Sequence, residues 1–241
     1  MKKRGIIRAF WGCPSDALSG NYRFEKEFSI DKNNCVIKRW DRIKNSIGSV
    51  SKDKDKKQYP YDVIYVFGKE NKRLLSDFGI ESVLIWDEPF KFHPVRRHWW
   101  HKLFAMKYAM ENDFNELVWL DWDCKMIKTI DNNFWDVLAK KETFQASLVK
   151  YQCQMVNFRK EKYSQYVPNG SFVYLRDRNI PSVFFDMDVK TWTDEVVYAK
   201  YTDNIMDGYN QSKYHELFEP NVAASKRSIF RNKKELYFYH Y

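Results

Sequence analysis

Apolar residues in this chain gather into short unbroken runs separated by polar clusters and by segments with helical spacing. Gly5–Trp11, Tyr61–Phe67 and Glu81–Trp86 read as strands, because each is brief, rich in branched and aromatic residues, and bounded by turn residues. Between the second and third, Glu70–Phe78 suits a helix set between Gly68 and Gly79. Strand, helix and strand at this spacing predict a βαβ unit and a parallel sheet. Arg97–Glu111 carries Trp99, Leu103, Met106 and Met110 on one helical face. A strand over Leu117–Leu120 follows, apolar without alternation, as expected of a strand buried on both faces. Asp131–Leu138 then reads as a short helix packing Phe134, Trp135 and Leu138, and Thr143–Val149 as a strand. Val167–Leu175 places Asn169-Gly170, a turn signal that in a transferase could face the acceptor, before another strand. Thr191–Tyr201 has a helix start, with Thr191 or Thr193 as cap and Asp194 and Glu195 in the first turn. The alternation in Glu235–Tyr241 suits an edge strand, and its aromatics suggest that this tail is docked. Residues 19–48 are harder to read; Val36, Ile37, Trp40, Ile43 and Ile47 fit one helical face, and Lys52–Lys57 is a solvated charged stretch.

The chemistry concentrates where the Leu117–Leu120 strand ends. Asp121 and Asp123 follow it with one residue between them, and ligands in open α/β sheets lie beyond the carboxyl ends of strands. If the backbone stayed extended, both carboxylates would project to one side. Two such groups resist joint ionisation unless a cation sits between them, and a hard divalent ion such as Mg²⁺ or Mn²⁺ suits oxygen ligands. The competing reading makes them ordinary strand-end residues that cap a turn.

Other candidates divide in the same way. Phe10 and Trp11, at the end of the first strand, read equally as a stacking face for a base and as core aromatics. Lys102 reads as a residue reaching a phosphate or ribose, or as an exposed lysine on a helix flank. His93, His98 and His101, with Arg96 and Arg97, match no zinc-helix spacing and are expected at a pocket rim or on the surface. Capping alone would explain Asp194 and Glu195; the functional reading makes one of them a catalytic carboxylate. His240 reads as a terminal residue in solvent or, beside two carboxylates, as an imidazole completing a Mn²⁺ shell.

Composition narrows the class. With 241 residues, 44% hydrophobic and 18% aromatic, the chain is long enough and apolar enough for one α/β domain with a substantial core. The net charge of +9 attracts phosphate-bearing partners without choosing among them. Four scattered cysteines form no Cys-x-x-Cys pair, which speaks against a zinc site and for a reducing compartment. No run approaches a membrane span, and the first residues are too short in apolar length for a secretory leader. The expectation is a cytoplasmic protein whose membrane contact, if any, is peripheral. No Walker loop, Rossmann glycine fingerprint or internal repeat is present, so phosphate binding would rest on metal and basic side chains.

In order, these features resemble the GT-A fold nucleotide-sugar glycosyltransferases. The resemblance spans the chain in layout and is specific around His101–Asp136, HKLFAMKYAM…ELVWLDWDCKMIKTIDNNFWD. It implies a single Rossmann-like α/β domain with a mostly parallel central sheet flanked by helices. It implies a nucleotide-binding half over about 1–127 and an acceptor-binding half over about 128–241. It implies Mn²⁺ (or Mg²⁺) bridging a nucleoside-diphosphate sugar, with Asp123 on the metal, Asp121 on metal, ribose or sugar, and His240 as a late metal ligand. Phe10, Trp11 and Lys102 would contact the donor, and Asp194 or Glu195 the acceptor, a hydroxyl compound such as a carbohydrate rather than a nucleic acid. Inverting and retaining routes both remain open. A nucleotidyltransferase shares the sheet and carboxylates but usually has a glycine-rich basic loop, which Gly12-Cys13-Pro14-Ser15 is not. A non-catalytic basic binding module predicts no converging carboxylates.

Overall fold

In the computed structural model, the described residues are 3–11, 62–77, 80–88, 100–121, 124–150, 166–186, 194–205, 220, 222–225 and 236–240. The loop 12–16, the helix read over 36–47, the charged stretch 52–57, His93, Arg96, Arg97, His98, Trp99, Asp123, Thr191 and Thr193 lie outside them.

Six strands form the main sheet: β1 (Arg4–Phe10), β2 (Asp62–Phe67), β3 (Val83–Trp86), β4 (Glu116–Leu120), β6 (Phe144–Lys150) and β7 (Tyr166–Leu175). Their order is β3-β2-β1-β4-β7-β6, with β1 to β4 mutually parallel and β7 running against both of its neighbours. A second sheet, in the order β5-β9-β8, joins β5 (Cys124–Met126), β8 (Ala223–Ser225) and β9 (Phe238–His240). The helices are α1 (Lys69–Asp77), α2 (Trp100–Asn112), α3 (Asn132–Ala139), α4 (Asn179–Asp186) and α5 (Asp194–Ile205). The domain is therefore α/β with a mostly parallel central sheet flanked by helices, as expected.

β4 is buried at every position, and period-two alternation divides its side chains between two cores. Leu117 and Trp119 join Leu103, Met106 and Met110 of α2, Ile180 and Phe184 of α4, and Val197 and Tyr198 of α5. Val118 and Leu120 join Phe134, Trp135 and Leu138 of α3, and Phe238 of the small sheet. A strand covered on both faces needs no polar face, and this is why its sequence shows no alternation. At its other end, Glu116 is fully buried yet paired: Arg4 donates to it at 2.9 Å and the Tyr174 hydroxyl at 2.6 Å. A buried carboxylate requires such partners.

Three expectations are corrected. Asn169-Gly170 neither turns the chain nor precedes the strand; both residues lie within β7. Ala146 pairs with Val173 but the next residue, Ser147, pairs with Asn169, so Gly170, Ser171 and Phe172 bulge out opposite β6 while Phe172 stays paired to Leu120. The tail strand is not an edge, because β9 lies between β5 and β8. His101 is not at a rim but 2% exposed, stacked on Trp11 at 5.3 Å and edge-on to Phe67 at 4.7 Å. The helix α4 and the strand β8 went unread. Pro181 sits in the first turn of α4, where a missing N–H costs nothing.

The chain leaves the main sheet after Leu120 and enters the small one at Cys124, so Asp121 stands where the step between the two sheets begins. The tail is fixed to the same step, since Cys124 pairs with His240. Asp131 secures this arrangement from α3. Its Oδ1 accepts from the Phe134 N–H at 2.9 Å as the helix cap, and from the Tyr237 hydroxyl at 2.8 Å. Asp131→Ala should cost about 1–2 kcal/mol in urea unfolding. It should also speed hydrogen exchange at 238–240 more than in β1.

Candidate functional site

Lys102 sits in the first turn of α2, where the helix dipole disfavours a cation, and it is only 1% exposed. Both conditions oppose an ammonium, so its partners must hold it. Its Nζ is 2.8 Å from Asp194 Oδ2 and 3.2 Å from Asp121 Oδ1, and it donates to the Gly170 carbonyl. The Trp119 ring lies 5.0 Å from the ammonium, and the Trp119 indole N–H donates to Asp121 Oδ1 at 2.7 Å. Burial by itself pulls the Lys102 pKa down; Asp121 and Asp194 outweigh it, and the net shift is upward. The lysine is thus protonated, and neither the exposed-flank reading nor that of a freely reaching side chain describes it.

Each partner arrives on a different element. Asp121 closes β4 on the face that Leu117 and Trp119 share. Its backbone N–H donates to the Ser171 carbonyl on β7 at 2.9 Å. Asp194 opens α5, where its charge suits the helix dipole, and is 5% exposed. Gly170 brings β7 close enough for both. A Cβ there would collide with Asp194 Oδ2 and lie 2.7 Å from Lys102 Nζ. The site therefore explains this glycine by close approach rather than by turn geometry.

Around this knot lie the remaining candidates. Glu195 is partly exposed, and Asn169 Nδ2 donates to its Oε1 at 3.0 Å. The Tyr198 phenol is buried one turn on; burial first, and Asp194 second, push its pKa well above the ordinary value. Trp11 is partly buried at the end of β1, stacked on His101, the residue before Lys102. Phe10 is 5% exposed and packs with Ile64, Val66 and Leu75, so it is a core aromatic and offers no stacking face. His240 is half-buried, and its backbone lies opposite Cys124. Among the described residues no three metal-ligating side chains gather, and Asp123 lies outside them.

Asp121, Lys102 and Asp194, singled out in the sequence, meet in the structure, with Glu195 next in the chain; the contacts of Gly170, Asn169, Trp119 and Tyr198 were not read from it. The one available signal for Gly170 was a glycine inside a strand-like run, which also marks close backbone approach.

No family model matches the sequence, and no curated protein matches it. Among solved structures, it is similar to the inositol-1-phosphate CTP transferase from T. maritima, with a TM-score of 0.44 and 8% identity over 84% of this chain and 82% of that one. The likeness is one of chain trace and says nothing of what this chain binds. No helix among the described residues is long and apolar enough to cross a membrane.

Removing Lys102 strands two carboxylates, one of them deeply buried. Lys102→Met should cost about 3–5 kcal/mol in denaturant unfolding, and Gly170→Ala about 1–3 kcal/mol by overpacking. Lys102 and Tyr198 both have folded-state pKa values above their unfolded ones. Their contribution is therefore complete below about pH 10 and is lost as pH rises through the folded values. Stability followed from pH 7 to 12 should fall only at the alkaline end on their account.

Proposed function

We propose that this chain is a metal-dependent glycosyltransferase that moves a sugar from a nucleoside-diphosphate sugar to a hydroxyl acceptor. One observation carries the reading. The buried Lys102 ammonium draws the acid at the end of β4 and Asp194 at the start of α5 into one place. Donor chemistry belongs at the first, beyond the carboxyl end of a central parallel strand. Acceptor chemistry belongs at the second, on a helix from the other half of the chain.

In this reading Asp121, Asp123 and His240 hold a Mn²⁺ or Mg²⁺ ion. Such an ion supplies Lewis-acid stabilisation to a departing diphosphate. Trp11, stacked on His101, offers an aromatic face at the end of β1 for the base. Lys102 keeps Asp121 in place rather than reaching for phosphate, since its ammonium already serves two carboxylates and a carbonyl. Fixing these groups before substrate arrives lowers the reorganisation needed in the transition state. The second reading is nucleotidyl transfer at the same strand end, the activity named for the solved structure of similar trace. It would consume a nucleoside triphosphate and release pyrophosphate.

Uridine or guanosine diphosphate sugars at about a hundred times Kd should raise the apparent Tm by about 5–10 °C, and only with Mn²⁺ or Mg²⁺ present. Asp123→Asn should remove that shift while leaving the Tm of the free protein within about 2 °C. Turnover should release nucleoside diphosphate. Release of pyrophosphate selects the second reading, and a metal-independent shift in both proteins sinks the metal site.

A further inference from the structure

We propose that the two acids opening α5 divide the work: Asp194 is a positioning residue bound into the fold by Lys102, and Asn169 aims Glu195 at the hydroxyl groups of the substrate. This assignment rests on the glycosyltransferase reading for its ligand class, sugar hydroxyls, but not for its geometry.

Asp194 is enclosed. Its carboxylate lies against the Lys102 ammonium, and the backbone of Gly170 approaches so closely that a single added carbon would strike it. At 5% exposure it has no room for a sugar without opening the ion pair. Glu195, the next residue, stands at the solvent boundary. It is held by an amide whose orientation is determined by its other contacts. Asn169 Oδ1 accepts from the Ser171 backbone N–H at 3.0 Å and from the Ser171 hydroxyl. A backbone N–H can only donate, so the Asn169 oxygen must face Ser171 and the NH₂ must face Glu195. The NH₂ can only donate, which favours a Glu195 carboxylate that accepts. Asn169 borders the β7 bulge and Ser171 lies in it, and the Ser171 carbonyl accepts from Asp121 N–H. Thus one irregular stretch of β7 places Asp121 and Glu195 relative to each other. A bulge of this kind re-aims side chains next to functional sites. Among the described residues, the charged and titratable groups that act on one another here include Asp194, Glu195 and Tyr198 on α5, Lys102 on α2 and Asp121 after β4.

The decisive substitution is Asn169→Asp, which keeps the shape, removes the donor and sets a like charge beside Glu195. The Glu195 side-chain carboxyl signal, assigned by its loss in Glu195→Gln, is titrated by carbon NMR in both proteins. Its midpoint should rise by about one unit in Asn169→Asp, and the acid limb of kcat/KM should move up with it. Glu195→Gln should lose about 100-fold in kcat/KM for acceptor with Tm and Mn²⁺-nucleotide binding unchanged. Asp194→Asn should lower Tm and lose less turnover at a temperature where it is folded. An unmoved Glu195 midpoint, or a folded Asp194→Asn that loses more turnover than Glu195→Gln, overturns the assignment. If Asn169→Asp does not fold, the two acid variants decide alone. A wild-type protein inactive on nucleotide sugars removes the proposed function, whereas the titration still tests the pairing.

Discussion

A buried ammonium between two carboxylates holds the working end of this molecule together. Lys102 is placed against both its solvation and its helix dipole, and Asp121 and Asp194, with the Gly170 carbonyl, make that placement tolerable. The three residues come from α2, the end of β4 and the start of α5. If Lys102 is lost, both carboxylates lose this partner; if either acid is lost, the ammonium keeps the other. The pair is thus weak evidence for net stability but strong evidence for specificity of arrangement, because few other packings satisfy all three groups.

Two further features follow from this constraint. β7 must approach the ion pair closely, and it does so through Gly170, at the cost of regular pairing with β6. The resulting bulge turns the Asn169 amide toward Glu195 and the Ser171 carbonyl toward Asp121. On the opposite face, the chain passes from the main sheet, past Asp121, to the small sheet at Cys124. The tail returns there as β9, pairing His240 with Cys124. The Lys102 ion pairs and the small sheet therefore lie on opposite faces of one central strand.

Much of this was legible residue by residue. β4 announced itself because a strand buried on both faces is an unbroken apolar run, and Phe134, Trp135 and Leu138 were read as the buried side of α3. Asp121 was placed at a strand end and Asp194 and Glu195 at a helix start, where the structure has them. Phe10 was ambiguous for a sound reason: one aromatic at the end of a strand satisfies both a core and a pocket, and the partners that enclose it, Ile64, Val66 and Leu75, come from β2 and α1.

The sequence by itself determined the local periods: which runs are strands, which faces of helices are apolar, and where acids cluster at the ends of elements. These depend on residues within one or two turns of each other. Only the tertiary structure decided that Lys102 is buried, that Asn169-Gly170 opens a bulge within a strand and is not a turn, and that the tail is a central strand and not an edge. Each of those outcomes depends on a partner distant in the chain. An Asn-Gly pair has several low-energy backbone solutions, and a lysine on a helix flank is stable either in water or between two carboxylates. The choice is made by what packs against it.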